Sequence, residues 1–367
     1  MKNTFFFHPH RNCWRLEEAE QIRFLIDGAA YFETLADVLE KAEKAVYIIG
    51  WDIDSRIRLR REDGEKSTET LRETLNRLAG SRKNLNIYLL DWDFAMLYAL
   101  EREPLPLLKL GWQTHHRVHF RMDSRHPVGA SHHQKLVVVD DRIAFVGGLD
   151  LARCRWDTPE HDPEDPRRCD NGVPYAPFHD VQMMVQGPVA GTLGGLARRR
   201  WQLATGTELP PPQSGSSNIW PQNCPAELEQ VQVAIMRTEP EYEGKDAIQE
   251  VKEFYLEAIA SARHSIYIEN QYLTAHAIGA ALEERLKEED GPDVVIVLPQ
   301  YCSGWLEQNT MGQLRTRILN RLRRADREDR LGVYYPTRPD LGEAMINVHS
   351  KILVVDDILV RIGSSNL

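Results

Sequence analysis

Hydrophobic positions recur along this chain with two alternating rhythms. Spacings of three and four mark helices. Phe32, Leu35, Ala36, Val38, Leu39 and Ala42 form one such stripe, and Val251, Phe254, Tyr255 and Ala258 form another within residues 247–262. Short, uninterrupted apolar runs follow. Residues 45–51 (AVYIIGW) and, after a further helical stretch at 70–78, residues 85–91 (LNIYLLD) have the length and composition of buried strands. In the second half, residues 265–272 (SIYIENQY) and 293–299 (DVVIVLP) repeat that order. Helices alternating with buried strands predict an α/β layered architecture.

The strongest pattern lies at 131–150, SHHQKLVVVDDRIAFVGGLD, which predicts two short strands around a turn at Asp140-Asp141. A side-chain period of two puts His133 and Lys135 on one face, about 7 Å apart. Asp140 has the opposite parity and reads as a turn and support residue. Residues 348–367, VHSKILVVDDILVRIGSSNL, repeat the device with His349, Lys351 and Asp356 at the same offsets. Gly148 then matches Ser364, and Asp150 matches Asn366. Tyr47 precedes His133 by 86 residues and Tyr267 precedes His349 by 82, so a whole lobe is duplicated. The implied organisation is an N-terminal extension (1–27), a first lobe (28–204), a connector rich in Pro, Ser and Gly (205–240) and a second lobe (241–367).

One His-x-Lys pair carries little information, but two at matched spacing are unlikely by chance, and together they could serve a phosphodiester. Such a substrate is anionic and repels nucleophiles, so a site must neutralise its oxygens, supply a nucleophile and protonate the leaving alkoxide. Lys135 and Lys351 suit the first task. The two imidazoles suit the others. Gly148 and Ser364 are small enough for close backbone approach, and Asn366 can donate to the phosphate. No carboxylate grouping has calcium-loop spacing, and the expectation is no required metal or cofactor.

Composition narrows the setting. The hydrophobic share of 42% and charged share of 27% are those of a soluble globular chain. No apolar run approaches the roughly 18–20 residues that cross a bilayer. A net charge of −10 argues against unspecific attraction to nucleic acid. Arg198–Arg200 and the arginine-rich stretch 315–330 read as solvated faces. Five scattered cysteines without a CxxC fit a reducing, cytoplasmic setting. The apolar segment 94–112 reads as a helix and turn packed on the core, the alternative being a lipid-facing lip. Residues 154–177 read as a border of the site.

The doubled HxKxxxxD followed by G-[GS]-x-[ND] resembles the phospholipase D superfamily. So do RWDT (155–158), FHD (178–180) and IYIENQYL (266–273), and the likeness runs from about Gly28 to Leu367. The resemblance implies two α/β/α lobes with mixed sheets and one active site at their pseudo-twofold interface. It implies a catalytic set of His133, Lys135, Asp140, His349, Lys351 and Asp356, with a phosphohistidine intermediate. His133 is suggested as nucleophile and His349 as acid and base, although the spacing itself is symmetric. Asp180 matches the acid that orients the first-lobe imidazole. Trp51, Asp52, Glu269 and Gln271 match pocket positions. The implied substrate is a glycerophospholipid at a membrane surface, with no nucleic-acid partner and peripheral membrane contact. A cardiolipin synthase-like phosphatidyltransferase comes second, a phosphodiesterase nuclease third, and a non-catalytic lipid binder last. The first lobe continues about 55 residues beyond Asp150, whereas the chain stops one residue after Asn366. The expectation is therefore a second lobe with an open sheet edge, a His349 without an orienting carboxylate, low activity, and a natural protein that extends further.

Overall fold

The two rhythms build two sheets of the same design. The structure, a computed structural model, describes residues 6–61, 69–93, 114–213, 218–302, 305–342 and 344–367. The segment 94–112 lies outside them.

The first lobe runs β1 (Arg15–Ile26), α1 (Asp27–Leu39), β2 (Ala45–Gly50), α2 (Leu71–Ser81), β3 (Asn86–Trp92), β4 (Val118–Asp123), β5 (Leu136–Val139) and β6 (Ile143–Gly147). A small hairpin, β7 (Cys169–Asp170) and β8 (Val173–Pro174), precedes β9 (Phe178–His179), β10 (Val181–Gln186), α3 (Pro188–Thr205) and β11 (Leu228–Ile235). The second lobe opens with the short pair β12 (Thr238–Glu239) and β13 (Ile248–Gln249). It continues through α4 (Glu250–Ser261), β14 (Ser265–Glu269), α5 (His276–Lys287), β15 (Asp293–Val297), α6 (Trp305–Ala325) and β16 (Leu331–Tyr334). It ends with β17 (Asn347–Val348), β18 (Ile352–Val355) and β19 (Leu359–Ile362).

Sheet order exposes the duplication. The first sheet reads β11-β1-β10-β6-β5-β2-β3-β4 and the second β19-β18-β14-β15-β16. In each, three parallel strands (β2, β3, β4; β14, β15, β16) are followed outward by an antiparallel hairpin (β5–β6; β18–β19). Both hairpins turn through consecutive aspartates with positive φ: 54° and 55° at Asp140 and Asp141, 50° and 53° at Asp356 and Asp357. Asp tolerates that region better than most residues, and two such residues in succession match the strand twist.

Alternation along β2 sorts the core. Val46 and Ile48 pack with Phe32, Leu35 and Leu75 of α1 and α2. Tyr47 and Ile49 pack with Val189, Leu193 and Trp201 of α3 on the other face. In the second lobe, Ile266, Ile268, Val294 and Ile296 meet α4, α5 and α6. Each such side chain contributes about 1.5–3 kcal/mol on burial. Helix α2 begins with a capping box between Thr70 and Glu73, which explains its sharp start.

Two boundaries differ from the sequence reading. Residues 15–26 are not an extension, because β1 lies between β10 and β11 in the first sheet. Residues 228–235 are likewise sheet, so the connector is shorter than its composition suggests. Both strands carry Glu and Gln at many positions and lie at the less covered end of the sheet, so neither shows an apolar run. Among the described residues β19 pairs only with β18, and Ile358 and Val360 on that edge are exposed. The arginine stretches are partly tied down: Arg198 pairs with Asp141, Arg200 with Asp123, and Arg321 with Glu283.

Candidate active site

The two His-Lys segments meet where the lobes touch. His133 and Lys135 lie in the extended chain just before β5, one step short of the strand expected to hold them. The His133 Nδ1 donates to the carbonyl of Ser364 in the second lobe at 2.8 Å. A carbonyl can only accept, so the proton is on Nδ1 and the Nε2 lone pair is free. His349 Nδ1 lies 2.6 Å from Asp180 Oδ2 of the first lobe. Each imidazole is thus held by the opposite lobe. This corrects two expectations: Asp180 orients His349 rather than His133, and His349 has its carboxylate.

Glycine at 148 has a different use from the one expected. A Cβ there would overlap the Asp180 carboxylate, so the missing side chain makes room for Asp180 and not for a phosphate. Ser364 contributes its carbonyl. Asn366 is exposed, and among the described residues no hydrogen bond ties it to the centre.

The lysines differ in their partners. Lys135 Nζ lies 2.9 Å from Asp150 Oδ2, and both residues are buried. Asp150 also accepts the backbone N–H of Trp51 at 2.8 Å and of Asp52 at 3.4 Å. Lys351 Nζ donates to Gln271 Oε1 at 3.2 Å and to the carbonyl of His349. Trp51 packs beside the centre, its ring 6.5 Å from that of His133 and 5.9 Å from Lys135 Nζ. Glu269 faces His179 and Ser350 rather than an open pocket.

The motif aspartates lie elsewhere. Asp140 accepts the backbone N–H groups of Glu43, Lys44 and Ala45 at 2.7–2.8 Å, at the start of β2. Asp356 does the same for Arg263, His264 and Ser265 before β14. They are fold anchors at the far ends of their strands, which corrects their place in the catalytic set. Although burial pushes the Asp356 carboxyl up, those three donors bring it below the ordinary carboxylate value. Asp140→Ala is expected to destabilise the chain by about 2–4 kcal/mol, since three donors lose a charged acceptor. Thermal unfolding should show the loss, and turnover per folded molecule should stay within about twofold of wild type.

Burial and charge together set the protonation states. Burial, then Lys135 and Lys351, holds His133 well below the ordinary imidazole value. Burial, then Lys351, Arg155 and Lys135, does the same to His349. Burial lowers Lys351 to about 7 against the pull of Asp180, and raises Asp180 to about 7 against the pull of Lys351. Both rings are therefore neutral, among cations able to receive an anion.

Sequence reasoning missed four residues. Asp150 was read only as the match of Asn366, yet it anchors Lys135. Arg155 stacks 4.8 Å over the Phe178 ring, itself 5.2 Å from the His349 ring, and adds positive charge to the centre. The others, Asp27 and His179, lie behind Asp180. The signal was present for two of them: Arg155 opens RWDT and His179 precedes Asp180 in FHD.

The family model described as phospholipase D matches residues 113–285, and that described as cardiolipin synthase, PLD-like domain, matches 255–367. The chain belongs to the phospholipase D superfamily. It is 25% identical over 503 aligned positions to phospholipase D alpha 1 of Carica papaya, covering 99% of this chain and 59% of that protein. To phospholipase D B of Dictyostelium discoideum it is 25% identical over 241 positions, covering 55% of this chain and 19% of that protein. The chain thus spans about three fifths or less of these curated relatives. Among solved structures, phosphatidylserine synthase of Haemophilus influenzae Rd KW20 superposes with a TM-score of 0.60 at 13% identity, covering 95% of this chain and 79% of that one, a likeness of fold.

Proposed function

We propose that this chain cleaves phosphodiesters of glycerophospholipids, releasing the head group and phosphatidate through a phosphohistidine. The observation that carries the reading is the crossed support of the two imidazoles. Each Nδ1 is held by the other lobe, which leaves two Nε2 atoms and two lysines for one phosphoryl group.

The roles follow from that arrangement. An incoming phosphate offsets the lysine charges that hold the rings neutral, so one imidazole can take up a proton. His133 Nε2 then attacks phosphorus, and the N–P bond forms as the bond to the head-group oxygen breaks. His349 Nε2 supplies that oxygen's proton, and its imidazolium is stabilised by Asp180. In the second step His349 takes a proton from water, whose oxygen attacks phosphorus and releases His133. Lys135 and Lys351 balance charge throughout.

Resolution of the same intermediate by an alcohol makes the chain a phosphatidyltransferase. The cardiolipin synthase-type match over the second lobe favours this second reading. Nuclease activity is disfavoured by the net charge of −10. Among the described residues no helix is long and apolar enough to cross a membrane.

The test is release of choline or ethanolamine from phospholipid vesicles, with and without added glycerol, beside a DNA-cleavage assay. Head-group release by wild type and none by His133→Ala supports the proposal. DNA cleavage without head-group release overturns it.

A further inference from the structure

Behind the Asp180–His349 pair lies a second set of buried charges that the chemistry above leaves idle. Asp27 begins α1 with a left-handed φ of 65° and is fully buried. Its Oδ1 accepts His179 Nδ1 at 2.8 Å and the Asp180 backbone N–H at 3.1 Å. Its own N–H donates to the Asp180 carbonyl at 2.8 Å. On the other side of the ring, His179 Nε2 donates to Glu269 Oε2, on β14 of the second lobe, at 3.1 Å. Glu269 also accepts the Ser350 hydroxyl at 2.6 Å, and Ser350 stands between His349 and Lys351. The backbone follows the same path. Strands β9 and β17 pair in parallel, and the His349 N–H donates to the His179 carbonyl at 2.8 Å.

A ring whose two nitrogens both point at carboxylates donates from both, which makes it an imidazolium. Burial opposes that charge, but the hydrogen bonds that the ring donates to Asp27 and Glu269 outweigh it and raise the ring to about 10. His161 Nε2 lies 3.7 Å from the second Asp27 oxygen, so Asp27, His161 and His179 converge within 4.8 Å. A doubly donating His179 has no lone pair for a metal, and the cluster is an ion network.

We infer that His179 is a positioning residue, an imidazolium strap from Asp27 to Glu269 that locks the lobes in the register at which Asp180 meets His349. The two ends of the Asp180–His349 bond come from different lobes, and each is one residue or one backbone bond away from His179. Slippage of about 1 Å between such groups costs on the order of 10²-fold in rate. Only the kinetic arm of the test rests on the function proposed above.

The test uses the full chain with His179→Gln, Glu269→Gln and the double variant. It combines steady-state turnover of a phosphatidylcholine with NMR of the His349 Nδ1–H in ¹⁵N-histidine-labelled protein. The expected result is kcat lowered about 10- to 100-fold with KM within about threefold, and a His349 Nδ1–H resonance that broadens or moves upfield. The double variant should be no worse than the stronger single, because both remove one strap. If a Gln variant does not fold, Asp27→Asn suits the left-handed backbone there and breaks the same charge chain. A lowered unfolding temperature with wild-type kcat per folded molecule and an unmoved His349 resonance overturns the inference. Absence of wild-type turnover defeats the proposed function instead, and the resonance still decides on the strap.

Discussion

His133→Ala and His349→Ala are each expected to lower phosphodiester turnover by at least about 10⁴-fold, and the double variant to be little worse than either. The two rings act on one phosphoryl group, so losing one idles the other. Their orienting bonds run to opposite lobes, Ser364 for His133 and Asp180 for His349, and neither substitution removes the other's support. The pair also separates nucleophile from acid. With a p-nitrophenyl phosphodiester the leaving group needs no proton, so His349→Ala should still form the covalent intermediate and stall before its hydrolysis. Phosphate label should then accumulate on His133, as acid-labile phosphohistidine. Label on His349 in the His133→Ala variant would reverse the assignment. Stoichiometric label in neither variant would remove the covalent mechanism.

Asp180→Asn should cost on the order of 10³-fold in kcat, with a changed pH profile. The carboxylate stabilises the His349 imidazolium only when ionised, and burial raises its pKa to about 7. Activity of the wild type should therefore rise as pH increases through about 7. Lys351, lowered to about 7 by burial, must be protonated to bind an anion, so kcat/KM should fall on the alkaline side of the same region. The two groups attract one another and titrate as a pair, which predicts a narrow bell around neutrality. In Asp180→Asn the acid limb should vanish, because an amide does not titrate there, while the alkaline limb persists. A wild-type profile flat between pH 5 and 9 would remove both assignments.

The sequence alone determined the lobes, their duplication and the identities of the chemical groups. Those properties are local. Val46 and Ile48 alternate with Tyr47 and Ile49 because a strand has two faces, and the runs Ala45–Gly50 and Ser265–Glu269 recur because each lobe needs a central strand. His133, Lys135, His349 and Lys351 are legible because the same chemistry was written twice at one spacing. Asp140 and Asp356 were also visible, and their parity already set them apart from the imidazoles.

Only the tertiary structure decided which group serves which. Reading along the chain, Asp180 belongs to the lobe of His133, but the docking of the two lobes brings it to His349, 169 residues away. The Ser364 carbonyl reaches His133 across 231 residues in the same manner. No spacing rule encodes that exchange, because it depends on how two separately folded sheets dock. The same reason hides β1 and β11, whose polar sequences become strands because β10 offers an edge to β1, and β1 in turn offers one to β11. It also hides His179, whose charge is set by carboxylates contributed from both lobes.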